Sequence, residues 1–165
     1  MMKVIVALDQ SDFSDQVVNS VINRHWDKDV QFKLITALEP MNWEAISCVE
    51  WNKTAEKLLK RRDEVAHDIL TQARKKFEEN LPHCPVHIDI RNGSARFEIT
   101  AAATEWMADK IIVGAHGHSP NRLLPGSVAR NVARYAACSV EMVRLKHIDH
   151  LHEKHKLIAE HASTV

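Results

Sequence analysis

The chain has 165 residues, with 22 Lys and Arg against 22 Asp and Glu, and 45% of its residues are hydrophobic. That size and composition fit one globular domain, or one domain with a tail. The zero formal net charge speaks against a general nucleic-acid binder, which needs a basic excess, and equally against an acidic disordered chain.

Apolar runs alternate with amphipathic stretches along the chain. Val4 to Leu8 is a continuous apolar run, the mark of a strand covered on both faces. It stops at Asp9-Gln10-Ser11-Asp12, which supply caps and negative charge for a helix start. Val17, Val18, Val21 and Ile22 then recur at helical spacing. Gln31 to Leu38 reads as a second strand, closed by Pro40. A long helix is expected from Glu50 to Glu79, with Trp51, Ala55, Leu58, Leu59, Val65, Ile69, Leu70, Ala73 and Phe77 as its apolar stripe. Val86, Ile88 and Ile90 alternate with polar residues, which predicts a half-exposed edge strand. Asn92-Gly93-Ser94 turns into a helix bearing Phe97, Ile99, Ala102, Ala103 and Trp106. Lys110 to Val113 is a fourth strand that ends at Gly114. Ser127 to Ala137 is a fourth helix, and Ser139 to Arg144 a fifth strand.

The order is βαβαβαβαβ. Short strands separated by helices need crossover connections, which imply a parallel sheet with helices on both faces. The expected fold is a single three-layer, doubly wound α/β domain over residues 1–145, with residues 146–165 as a His-rich tail. No apolar run approaches the ~20 residues of a membrane span or the ~7–15 of a signal-peptide core. Cys48, Cys84 and Cys138 are odd in number and form no CxxC pair. The expectation is a reduced, cytoplasmic protein that meets neither membrane nor nucleic acid.

In an open α/β sheet, ligands bind beyond the carboxyl ends of the strands, where the strand order reverses. Two loops of unusual composition sit at such ends. One is Asp9-Gln10-Ser11. The other runs from Gly114 to Ser127 and holds Gly114, Gly117 and Gly126, three of the four glycines in the chain. Glycine lets backbone approach a phosphate closely and turn through positive φ. Gly126-Ser127-Val128 opens a helix, whose free amides and dipole favour an anion. Asp9 could accept hydrogen bonds from an adenine amino group or ribose hydroxyls. Neither GxxxxGK[ST] nor GxGxxG occurs, which excludes the ordinary P-loop and that type of dinucleotide fold.

These residues carry a resemblance to the universal stress protein family, extending over residues 3–144. Lys3 to Ser11 is similar to the family's opening strand and Asp-x-Ser turn. Gly93-Ser94-Ala95, then Asp109 to Gly114, and Ala137-Cys138-Ser139-Val140 match its later elements. The nucleotide-binding members carry Gly-x2-Gly-x9-Gly-[Ser/Thr]; this chain has Gly114-x2-Gly117-x8-Gly126-Ser127, one residue short. The resemblance implies a five-stranded parallel sheet of order 3-2-1-4-5. It implies ATP; Mg²⁺ could come with it, held mainly by phosphate oxygens and water. Asp9 and the backbone near Ala37 would lie at the adenine, and Ala7 and Gly114 near the ribose. Gly117, Gly126, Ser127 and Val128 would lie at the phosphates. It also implies a homodimer through the exposed edge of the last strand.

Several other features have simpler readings. His116 and His118 could touch phosphate, but a solvated loop histidine is the simpler reading. No Cys or carboxylate stands beside them at zinc-ligand spacing, so no protein-bound metal is expected. Trp43 reads as a hydrophobic plug near the adenine end. The tail histidines His147, His150, His152 and His155 read as a charged, partly helical segment. No carboxylate pair, activated serine or Cys–His pair stands at the switch point, so no catalytic residue is named. The function expected is a stress-response regulator that binds ATP with little or no hydrolysis and acts on an unnamed protein partner. The alternatives are a dimeric interaction module with an empty pocket, and a slow ATPase.

Overall fold

The computed structural model describes residues 1–11, 13–40, 51–115 and 125–144, with the backbone alone for 51–54. Gly117, Trp43, His116, His118 and the tail lie outside the described residues. The elements are β1 (Met2–Ala7), α1 (Ser14–Ile22), β2 (Val30–Leu38), α2 (Trp51–Asn80), β3 (Val86–Asn92), α3 (Ala95–Trp106), β4 (Lys110–Gly114), α4 (Ser127–Tyr135) and β5 (Ser139–Val143). The five strands form one sheet of order β3-β2-β1-β4-β5, parallel at every pairing.

The buried strands explain their own composition. Residues Val4 to Ala7 of β1 are all buried, because β1 is central and helices cover both faces. Alternate side chains enter different cores. Val4, Val6, Phe32, Leu34 and Ile112 meet Val17, Val18 and Val21 of α1 and Leu70 and Phe77 of α2. Ile5, Ala7, Ile35, Ile111 and Val113 meet Ile99, Ala102 and Ala103 of α3 and Ala129 and Val132 of α4. Phe32 anchors the first core: its ring centroid is 5.1 Å from Trp26 and 5.0 Å from Phe77, both edge-to-face. Truncating a fully buried Phe of this kind costs about 3–5 kcal/mol. The half-exposed edge strand expected at 86–90 is β3, and β5 forms the other edge.

Two local expectations fail. The apolar stripe of α2 is buried only from Ala66 onward; Leu58, Leu59 and Val65 are exposed. Periodicity marks a helix face but not where the sheet beneath it ends. Phe97 is likewise exposed, on the solvent side of α3. The N-cap of α1 is Phe13, with no side-chain capping bond; Asp12, one of the caps expected, lies outside the described residues.

The third β-α turn is where glycine is structurally required. Gly93 has φ +155°, and a Cβ there would lie 2.9 Å from Cγ of Glu98. Beside it, Glu39 caps α3 from a distance in sequence. Its carboxylate accepts the Ala95 amide at 2.8 Å, a favourable charge at a helix N-terminus. A polar seam lies under β3, where Arg91 binds Asp89 at 3.0 Å and Glu105 at 2.8 Å. The hydrogen bond and charge of Arg91 hold the Glu105 carboxyl below its usual range. Burial lowers the Lys33 ammonium, against the opposing pull of Asp89. Among the described residues no helix is long and apolar enough to cross a membrane.

Candidate functional site

The sheet order reverses between β1 and β4. From β1 the chain turns to α1 on one face; from β4 it leads to α4 on the other. The two departures leave a crevice at the carboxyl ends of the strands, as expected for an open α/β sheet. A cavity of about 260 Å³ fills it. Ala7, Ala37 and Gly114 line it from the strand ends, and Asp9 from the loop after β1. Gly126, Ser127 and Val128 line it from the start of α4. Seven of the eight site residues expected from the sequence therefore share one cavity; Gly117, the eighth, lies outside the described residues.

The glycine loop is tied at its base. The Ala115 amide donates to the Val143 carbonyl at 2.8 Å, and the Gly126 amide donates to the buried Ala115 carbonyl at 2.7 Å. The chain therefore leaves and re-enters the crevice at a fixed point. Gly126 is the N-cap of α4, with φ −60° and ψ 162° and no side-chain cap. Any residue can adopt that backbone. Gly126 therefore does not use the positive φ that glycine allows. Among the described residues a Cβ at Gly126 would meet only Ala115 O, at 3.7 Å, which is ordinary contact. The fold does not require glycine here.

Helix N-termini carry amides without intrahelical acceptors. At α3, Glu39 supplies a carboxylate. At α4, no side-chain cap is found among the described residues, and Gly126, Ser127 and Val128 line the cavity. The α4 end therefore offers backbone donors and the positive end of a helix dipole to an anion.

Asp9 is exposed and is held by its neighbours. Its Oδ1 accepts the Ser11 amide at 3.1 Å, the Ser14 hydroxyl at 3.0 Å, and the Ser11 hydroxyl in a short contact. The Ser14 hydroxyl also accepts the Asp9 amide at 2.9 Å. Its single proton is shared between the Asp9 carboxylate and the Asp9 carbonyl, 2.7 Å away. Ser14, itself buried, thus pins the loop to α1 and fixes the carboxylate at the cavity rim. Asp9 is the one ionisable side chain among the described residues that line the cavity.

Sequence reading missed part of the wall. Phe13, Ser14 and Val17 of α1 and Ala95 and Ile99 of α3 also line the cavity. Val17 and Ile99 had been assigned to helix faces, but nothing in their spacing says that those faces reach the crevice. Ser14 lies five residues after Asp9, where a turn closed by a hydroxyl could have been suspected. No group of three or more His, Cys, Asp or Glu among the described residues could hold a metal ion.

The comparisons agree with this architecture. The universal stress protein family profile matches residues 1–144. Universal stress protein A homolog 2 of Coxiella burnetii is 31% identical over 149 residues, covering 87% of this chain and 95% of that protein. A universal stress protein solved in complex with cAMP superposes with a TM-score of 0.62 at 24% identity, covering 88% of this chain and 98% of that one. An Arabidopsis thaliana family member with AMP bound gives a TM-score of 0.66 at 15% identity, covering 89% and 94%. The Archaeoglobus fulgidus protein in complex with dAMP gives 0.57 at 20% identity, covering 86% and 97%. With the sheet order, the switch-point cavity and the family match in agreement, this chain belongs to the universal stress protein family.

Proposed function

We propose that this protein binds an adenine nucleotide in the switch-point cavity and acts through a change in a partner interaction, with little or no turnover. The observation that carries the reading is Gly126. The backbone conformation does not need glycine there, and among the described residues only Ala115 O stands near, so the missing side chain suits a ligand that approaches the start of α4. An anion suits that uncapped helix end. Relatives of this fold hold cAMP, AMP and dAMP, all adenine nucleotides with phosphate.

The nucleoside would lie between the ends of β1 and β2, against Ala7, Ala37 and the Asp9 carboxylate. The phosphates would meet Gly114, Gly126 and the amides of Ser127 and Val128, with Gly117 beyond them. ATP is the nucleotide that the glycine pattern implies. Its Mg²⁺ would be held by phosphate oxygens and water. Phosphoryl transfer needs a group to position water and a cation for the developing charge. The described wall supplies one carboxylate, engaged with Ser11 and Ser14, which suits recognition better than turnover.

Self-association through β5 belongs to the same reading. Ser139 N–H donates to Asp109 O at 3.3 Å, and Val143 O accepts from Ala115 at 2.8 Å. Residues 139, 141 and 143 thus turn their backbone toward β4. The alternation leaves the amides of Val140 and Met142 on the open edge, available to a second copy.

The test is mass spectrometry of the purified, gently denatured protein, followed by turnover measured on ATP-loaded protein. A carried-over adenine nucleotide without release of phosphate is expected. Steady phosphate release at more than a few turnovers per hour would replace the regulator with an ATPase.

A further inference from the structure

We propose that Glu39 fixes the direction of the ligand in the cavity: its carboxylate occupies the N-terminus of α3 and leaves phosphate only that of α4. The proposal rests on nucleotide binding at the switch point. In this parallel sheet the helices that follow β3 and β4 both begin at the carboxyl edge. They also pack on the same face of the sheet. Both starts line the cavity, α3 through Ala95 and Ile99, and α4 through Gly126, Ser127 and Val128. An anion entering the cavity therefore meets two positive helix ends, and backbone alone gives it no preference between them.

Side chains make the two ends different. Glu39 Oε1 accepts the Ala95 amide at 2.8 Å, and the Ser94 hydroxyl stands 3.4 Å from the same oxygen. The carboxylate comes from the residue just beyond β2, and the chain there is held. The Arg62 guanidinium donates to Glu39 O at 2.6 Å, and the Gly93 amide donates to Leu38 O at 3.0 Å. The end of β2 is thus kept beside the turn into α3. The other charges in the first turn of α3, Arg96 and Glu98, are of opposite sign and offset each other, so Glu39 decides the sign of this end. A helix N-terminus acts as roughly half a positive charge, and one bound carboxylate more than cancels it. The first turn of α4 has no acidic residue. Glu39 is exposed, so its long-range field is screened. The competition is local instead: phosphate at α3 would need the amide that Glu39 already holds. Phosphate is therefore sent to α4, and the nucleoside end to the wall formed by Ala37 and Ala95.

The experiment uses the full chain and two variants. Glu39→Gln keeps an oxygen acceptor for the Ala95 amide and removes the charge; Glu39→Ala bares the amide. Both should melt within about 4 °C of wild type, as for loss of one helix cap. Titrated with inorganic phosphate, wild type should show one site, which Gly126→Ala weakens about ten-fold or more. Glu39→Ala should take a second phosphate, and combined with Gly126→Ala it should still bind one; Glu39→Gln should fall between. AMP with a photoreactive azide on its base should label β2 and α3 in wild type, and α4 as well in Glu39→Ala. If wild type binds AMP, and both variants keep a single phosphate site and the wild-type labelling, the role given to Glu39 is overturned and nucleotide binding stands. Wild-type protein that binds neither AMP nor phosphate would overturn both.

Discussion

Gly126→Ala separates what the fold needs from what a ligand needs. Among the described residues of the free protein the new methyl group meets one atom at ordinary distance, Ala115 O at 3.7 Å, on a backbone any residue adopts. Two small effects then oppose. Replacing glycine where the backbone is compatible stabilises by about 0.4–1 kcal/mol through the unfolded state. Alanine is a poorer N-cap than glycine by a similar amount, since a capping residue replaced by alanine loses about 1 kcal/mol and by glycine only a few tenths. The net change should stay within about 1 kcal/mol, which moves the melting temperature by no more than about 2–4 °C in a domain this size. Binding should respond differently. The methyl group stands where backbone must approach the anion, and each lost hydrogen bond to a charged acceptor costs about 1.5–3 kcal/mol. Affinity for the nucleotide should therefore fall roughly ten- to hundred-fold, with adenosine affected much less. Gly93→Ala is the contrasting control: at φ +155° and against Glu98, it should destabilise by about 1–3 kcal/mol while leaving the residual folded protein able to bind. Calorimetric titration and thermal melts of both variants would test this. A Gly126→Ala protein that melts like wild type and binds AMP and ATP like wild type would refute the reasoning.

Asp9→Ala should weaken adenosine and AMP alike by about ten- to hundred-fold while sparing phosphate affinity in part, checked by titration with adenosine, AMP and ribose 5-phosphate. Removing residues 146–165 should leave nucleotide affinity nearly unchanged, measured by the same titration on truncated protein. Val140→Pro should lower the dimer fraction in sedimentation without a large loss of stability, because its amide faces the open edge, whereas Val143→Pro should damage the β4–β5 pairing itself. Burial pushes the Cys84 thiol up. The native state therefore disfavours the thiolate, so this group's contribution to stability is complete below the ordinary thiol range near ~8.5 and declines as pH rises through it. Alkylation of Cys84 at pH 8 should be slow in native protein and fast after denaturation, followed by mass spectrometry.

Much of this was legible because the strands carry their own signal. The continuous run at Val4–Ala7 requires cover on both faces, and the alternation at Val86–Ile90 requires an edge; both lie where those patterns put them. The order of strands came from likeness to a family, since periodicity alone does not rank neighbours. What failed was information held between elements. The stripe on α2 continues past its buried part, so Leu58 and Leu59 have the right spacing and are exposed. The backbone at Gly126 is one that any residue adopts, because a loop's φ depends on how its ends are tied, here through Ala115. Phe13 carries no sign of a site residue in the sequence, and Ser14 only its spacing from Asp9. Their role follows from the angle at which α1 leaves β1, and no residue spacing encodes that angle.

The most direct measurement is calorimetric titration of wild-type protein, freed of carried-over nucleotide, with AMP, ATP and GTP, with and without Mg²⁺. The account predicts saturable, one-to-one binding of an adenine nucleotide that survives removal of residues 146–165 and falls with Gly126→Ala. Folded wild-type protein that binds none of them at millimolar concentration would contradict it and leave the cavity without a nucleotide role.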